Sequence, residues 1–435
     1  MSHRFAASLS VIALLTASCQ AVNTSELSPE VAEDVTRFKN AQVFDGEAFV
    51  ARDLCVSDAL IVDCPSLAGD EVDVSGTFIT PPFGDAHTHH FDGPYTFEWH
   101  TGLGLDTGAF YAMTMTAPNS GVAQIRDRFR GADRVDVATS LGGITGPESH
   151  PAEIYEALRL GFRSYEEQLA NVDKIRASKL SADNAYYIVE SEEDVDAKLA
   201  LLLEAEPDHI KIYLRHSERY SEGWGKWGPG GGIDPDLAPY ITSRAREEGL
   251  RTAFAVSNVS DFEVSLVAGA DLVTHLPCYQ DTEQDPSSPY FDLDAAEECL
   301  ITKDQAQRAG ASGMVSTLIV SEWENDRPQK YDDWEKQNIA QLSEAGAPLA
   351  VAVDSYGRTL TKGLIAGVEE GFLSAPDLLR ISTMDTPKAI FPDRTVGCLD
   401  VGCEASFIGF NGDPLVDINV IDELNLRVKD GVLFE

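Results

Sequence analysis

Residues 78–90 form an apolar run that closes on His87 and His89. Residues two apart on a strand share a face, so these two imidazoles point the same way. Paired imidazoles on one face suit Zn²⁺ or a similar divalent ion. Taken alone, the pair fits ordinary polar histidines at a strand end equally well. Later apolar runs add weight to the first reading. The run 208–214 carries Lys211, 269–275 closes on His275, and 348–355 reaches Asp354. Four strand ends thus supply His, Lys, His and Asp.

In this combination the sequence resembles the metal-dependent amidohydrolase superfamily, in its imidazolonepropionase and prolidase-like branch. That family carries HxH after the first barrel strand, Lys on the fourth, His on the fifth and sixth, and Asp on the eighth. The flanks 38–46, 413–418 and 428–431 also resemble the family's strand entry and return, so the likeness runs from about residue 36 to the end. It implies a (β/α)₈ TIM-like barrel over 81–394, with a small composite β-sandwich built from 36–80 and 395–435.

The same resemblance implies a metal ion, zinc by expectation, on His87, His89 and Asp354, with Lys211 as a carbamate and His275 serving a second ion. Here the chain departs from the pattern. Ala255 stands where the fifth-strand histidine belongs, and no histidine lies between His216 and His275. One ion is therefore expected rather than two, unless His216, His90 or Asn258 moves in from a loop. His275 then becomes a neutral hydrogen-bonding electrophile, and an internal salt bridge to Asp354 is the alternative for Lys211. The implied chemistry is metal-assisted hydrolysis of an amide-like C–N bond in a non-peptide, cyclic or dipeptide compound. Asp354 would take the proton of the activated water, while metal and His275 stabilise the oxyanion. Ester or lactone hydrolysis fits the same site. A catalytically degraded, ligand-binding lipoprotein is the reading that Ala255 favours.

Positioning these groups requires strands that alternate with helices. Apolar runs at 108–115, 134–141, 209–214, 251–256, 271–275, 313–320 and 348–353 follow the HxH segment, with helical patterns such as 165–177, 192–204 and 237–248 between them. That alternation implies a parallel sheet. His150 and His216 are candidate substrate-binding residues in loops after strands. Trp224, Lys226 and Trp227 lie in a Gly-rich loop that suits a lid or simple packing, and His100 and His209 read as surface or packing residues.

The first residues have another purpose. A basic start and a short apolar stretch over 6–17 read as a signal peptide (1–18), too short to span a bilayer. The run 14–19 resembles a lipobox, which would make Cys19 an acylated N-terminus followed by a tether over 19–35. Export permits disulfides, and the other six cysteines fall into local couples: Cys55 with Cys64, Cys278 with Cys299, Cys398 with Cys403. A net charge of −39 argues against nucleic acid and anionic membrane surfaces as partners, leaving a lipid anchor as the only membrane contact. It also favours a neutral or cationic small-molecule substrate.

Overall fold

The computed structural model describes residues 32–223, 230–279 and 296–434. The expected signal peptide, Cys19 and the loop residues Trp224, Lys226 and Trp227 lie outside the described residues.

The chain opens with β1 (Ala32–Phe44), β2 (Phe49–Ser57), β3 (Leu60–Val62), β4 (Ala68–Asp73) and β5 (Phe78–Thr80). The first strand starts earlier than the tether boundary at 35 anticipates. Ala32 pairs with Ala68 of β4, and Val35 is buried opposite Ser57 of β2. Parallel strands follow, apart from the short β12, which pairs antiparallel with β11: β6 (Phe83–Thr88), β7 (Ala109–Thr114), β8 (Asp136–Thr139), β9 (Gly143–Thr145), β10 (Tyr186–Ile188), β11 (His209–Arg215), β12 (Gly231–Gly232), β13 (Arg251–Ala255), β14 (Leu272–Thr274), β15 (Val315–Ile319) and β16 (Leu349–Ala352). The chain closes with β17 (Phe407–Phe410), β18 (Leu424–Lys429) and β19 (Val432–Leu433).

Three sheets result. Strands from both ends join in one sheet of order β19-β18-β17-β5-β1-β2-β3, with β4 also paired to β1. A bulge between Phe38 and Ala41 divides β1, so that its first half pairs with β4 and its second with β5. Phe38 then meets Phe407 edge-on at 5.0 Å in a core shared by the two chain ends. The other two sheets are parallel: β6-β7-β8, and β10-β9-β11-β13-β14-β15-β16. Their strands are almost wholly buried, as parallel strands covered on both faces must be, which is why they read as unbroken apolar runs.

The two parallel sheets approach each other at both edges of the smaller one. Asp354, just past β16, donates its N–H to the His87 carbonyl of β6 at 2.8 Å. At the other edge Asp208 donates to the Thr139 carbonyl of β8 at 2.8 Å and accepts from the Thr139 N–H at 2.8 Å.

Helices lie between the strands where the sequence suggests, with one difference. The pattern over 165–177 is two helices, Tyr165–Ala170 and Val172–Ala177. Asn171 separates them because its side chain turns back to the Glu167 carbonyl at 2.9 Å and competes with the backbone ladder. By contrast Glu192–Leu203 is continuous; Ser191 caps it, and acidic residues fill its first turn.

Three disulfides join Cys55 to Cys64, Cys278 to Cys299 and Cys398 to Cys403, which fits an oxidising, extracytoplasmic compartment. Among the described residues no helix is long and apolar enough to cross a membrane.

A buried ionic network ties the end-to-end sheet to the parallel strands. The fully buried Lys429 of β18 donates to Asp136 of β8 and to the Gly131 carbonyl, each at 2.7 Å. Arg394 approaches the other oxygen of Asp136 at 2.7 Å and pairs with Glu404 at 2.6 Å. Removing one member strands a buried charge. Asp136→Ala should therefore lower the unfolding free energy by about 3–5 kcal/mol in urea titration; a loss within the range of surface substitutions would mean that Lys429 is satisfied without it.

Candidate active site

The ends of β6, β11, β14 and β16 open on a cavity of about 470 Å³ lined by His87, His89, His275 and Asp354. His87 is the penultimate residue of β6 and His89 follows the strand, so both imidazoles turn to one side, with ring centroids 5.3 Å apart. Their Nε2 atoms lie 3.2 and 3.1 Å from the same atom, Asp354 Oδ1. Burial pushes His87 far below its usual pKa, so this ring is neutral. Burial alone would raise the Asp354 carboxyl, but His87, His275 and His89 around it hold it well below the usual range.

This geometry suits a metal ion. Ligand bonds of about 2.0–2.2 Å at tetrahedral angles set neighbouring ligand atoms about 3.3 Å apart, close to the separations seen here. Among the described residues His87, His89 and Asp354 form the one cluster of three whose ligand atoms fall within 4.8 Å of one another.

His275 sits on the other oxygen, with Nε2 3.5 Å from Asp354 Oδ2 and Nδ1 3.2 Å from the Val256 carbonyl. Burial lowers its pKa, so the ring carries one proton between two acceptors. One ring nitrogen thus faces a carbonyl and the other a carboxylate.

Lys211 is fully buried and does not line the cavity. Its Nζ donates to the Thr274 hydroxyl, not to Asp354 as the alternative salt-bridge reading would have it. Burial pushes the ammonium down to about 7, against a small opposing pull from Asp354.

Ala255 ends β13 in register with Tyr213 and Thr274 and lines the cavity. None of the three suggested substitutes takes up the missing histidine's role. His90 stacks on His100 at 4.2 Å and accepts from the Gly357 N–H at 3.2 Å. His216 lines the cavity, but its Nδ1 is 3.1 Å from the Asn258 amide, and that amide also donates to Glu218 at 3.0 Å. Buried Asp261 holds this corner by accepting from the His216, Ser217 and Ser257 N–H groups at 2.8–3.1 Å. His100 and His209 are both buried. His150 does line the cavity, with Nδ1 3.3 Å from Glu153.

Several neighbours were not foreseen. Buried Glu153 lies between His150 and Arg215, which keep its carboxyl low against the opposing effect of burial. Ile154 and Leu158 of the helix Ala152–Leu160 also line the cavity, although 40% and 47% exposed. Tyr279 stacks on His275 with centroids 4.0 Å apart and planes 11° apart, and its hydroxyl is 3.4 Å from Asp354 Oδ2. Burial raises the pKa of this phenol, which stays protonated. A short strand followed by His and then, four residues on, an aromatic residue beside Cys was the available hint.

No known protein-family signature and no curated protein sequence matches this chain. Solved structures do. The chain is similar in fold to a Xaa-Pro dipeptidase with methionine bound in its active site, at TM-score 0.66 and 15% identity, over 92% of this chain and 100% of that one. It is likewise similar to the ochratoxinase of A. niger, at 0.67 and 16% over 92% and 96%, and to molinate hydrolase, at 0.65 and 15% over 92% and 95%. These likenesses establish a shared mixed α/β fold with parallel sheets.

The Lys211 geometry sets a pH dependence for the metal-free protein. Its folded pKa of about 7 lies below the ordinary 10.5, so between these values the unfolded chain binds more protons and stability rises with pH. Metal-free Lys211→Met should melt higher than metal-free wild type at pH 7, with the gap closing toward pH 10.5; parallel melting curves would refute a buried, depressed lysine.

Proposed function

We propose that this protein is a metal-dependent hydrolase that cleaves an amide-like C–N bond in a small molecule. The observation that carries this reading is the convergence of two imidazoles, one in β6 and one just past it, on one oxygen of Asp354. We further infer that the two parallel sheets are arcs of one (β/α)₈ barrel, closed by the contacts of Asp354 with His87 and of Asp208 with Thr139. Barrels of this kind carry chemistry at the C-terminal ends of their strands. The likeness in fold to a dipeptidase, an ochratoxinase and molinate hydrolase supports the same conclusion.

A single divalent ion on His87, His89 and Asp354, zinc by ligand chemistry, would supply Lewis acidity that polarises the scissile carbonyl and acidifies water. The protein's own groups move the protons. Asp354, held ionised, takes the proton of the attacking water and delivers it to the nitrogen as the C–N bond breaks. His275, with Nε2 3.5 Å from Asp354 Oδ2, orients the same water. Lys211, held near neutrality, is competent to add CO₂ as a carbamate. Ile154 and Leu158 give the cavity an apolar wall, so the favoured substrate carries an apolar group beside its amide.

Ala255 supports a second reading, a ligand-binding protein without turnover, and hydroxide attack would serve esters and lactones as well. Elemental mass spectrometry of the purified protein, together with a panel of paired amides and esters, separates these. About one ion per chain, lost in His87→Ala, should accompany amide turnover that Asp354→Asn lowers about 10²–10⁴-fold. No metal under any loading would favour the binding protein.

We also read the chain as an exported lipoprotein of the periplasm, on the lipobox-like run ending at Cys19 and the three disulfides. Cys19→Ala should shift the protein from the membrane fraction to the soluble periplasmic fraction; an unchanged distribution would remove the anchor.

A further inference from the structure

Hydrolysis needs a protein donor for the carbonyl oxygen that gains charge, and Ala255 offers no imidazole at the end of β13. The geometry points to the Tyr279 hydroxyl as that donor, an assignment that rests on the hydrolase reading above. Tyr279 lines the same cavity, and its hydroxyl reaches Asp354 Oδ2 at 3.4 Å while its ring lies flat on His275. Packing would be served by phenylalanine. Only the hydroxyl explains why this side chain extends to the carboxylate.

The residue is held in place from several sides. Its carbonyl accepts from Arg327 at 2.8 Å, and Arg327 is itself buried between Asp332 and Glu335. The preceding Cys278 donates its N–H to the Ser257 carbonyl at 2.8 Å and is disulfide-bonded to the buried Cys299. The Cys299 carbonyl in turn accepts from Asn338 of the helix Gln329–Glu344 at 2.8 Å. The hydroxyl is thus fixed before substrate arrives, as electrostatic stabilisation requires.

The hydrogen bond can also change partner at the right moment. In the resting site it rests on the Asp354 carboxylate. When Asp354 takes the proton from water it becomes a neutral, weaker acceptor, and the charge moves to the former carbonyl oxygen. The Tyr279 O–H then donates to that oxygen, so the bond is strongest in the transition state and lowers the barrier rather than only tightening binding. No proton leaves the tyrosine. When the C–N bond breaks and the carbonyl re-forms, the hydroxyl returns to Asp354.

Tyr279→Phe tests this because it keeps the stacked ring and removes only the oxygen. The expected result is a fall in kcat of about 10²–10³-fold, with KM and metal content unchanged. A phosphonate mimic of the tetrahedral species, titrated calorimetrically against the metal-loaded protein, should bind the variant more weakly by a similar factor. Wild-type turnover in Tyr279→Phe would overturn the assignment and leave the hydrolase reading intact, as would a loss of activity that tracks loss of metal. A wild-type protein that cleaves none of the amides or esters and does not bind the mimic would overturn the hydrolase reading, and this assignment with it.

Discussion

The burial of one carboxylate governs the cavity. Asp354 follows the last parallel strand, β16, in a left-handed backbone conformation (φ 47°), and its N–H is committed to the His87 carbonyl. Next to it the Val353 N–H is committed to Asp85 Oδ1 at 3.1 Å, and Asp85 also accepts from the His87 N–H at 3.2 Å. These bonds join β16 to β6 and leave the Asp354 side chain facing inward. Removing a carboxylate from water costs several kcal/mol even after relaxation. The imidazoles on both of its oxygens and the hydroxyl of Tyr279 supply the offset. His275, His216 and Cys278 share the left-handed conformation, at φ 71°, 48° and 57°. Such residues persist only where their surroundings determine them, and here those surroundings are the ends of parallel strands and a disulfide.

Much of this arrangement was legible in the chain. Most parallel strands fall within the apolar runs, because strands buried on both faces leave little room for polar residues, whereas the three-residue β9 and β10 lie outside those runs. His87, His89, Lys211, His275 and Asp354 were legible because each closes or sits in such a run. The disulfides followed from local cysteine couples. Other features depend on contacts that no local pattern records. Glu153 looks like an ordinary acidic residue in the first turn of a helix, yet it is buried between a loop histidine and the arginine that ends β11. Tyr279 is held in place partly by Arg327, 48 residues later, which donates to its carbonyl. His275 reaches the Val256 carbonyl of a neighbouring segment, a contact that only the fold creates.

The chain's acidity and the site's electrostatics belong to different scales. A net charge of −39 sets long-range repulsion, which salt screens within about 10 Å. Inside the cavity wall the balance is local. Burial lowers the Lys211 ammonium, which bonds a hydroxyl; Glu153 lies between His150 and Arg215, and three imidazoles surround Asp354. The ionic network at Asp136 works in the same way at the junction with the terminal sheet, where Lys429 and Arg394 converge on one carboxylate.

Ala255 shows what a parallel strand gives up when it ends in a methyl group. The register of β13 between β11 and β14 is intact, so the position is preserved and only the imidazole is missing. An imidazole there would help to hold a second ion beside His275. Without it, on the reading advanced above, a hydroxyl provides the donor that a second cation would replace with full charge. A donor of this kind is worth about 3–4 kcal/mol of transition-state stabilisation, and it needs no metal supply. On that same reading, a donor fixed by the disulfide-bonded Cys278 and by Arg327 keeps one half of the catalytic electrostatics independent of metal loading.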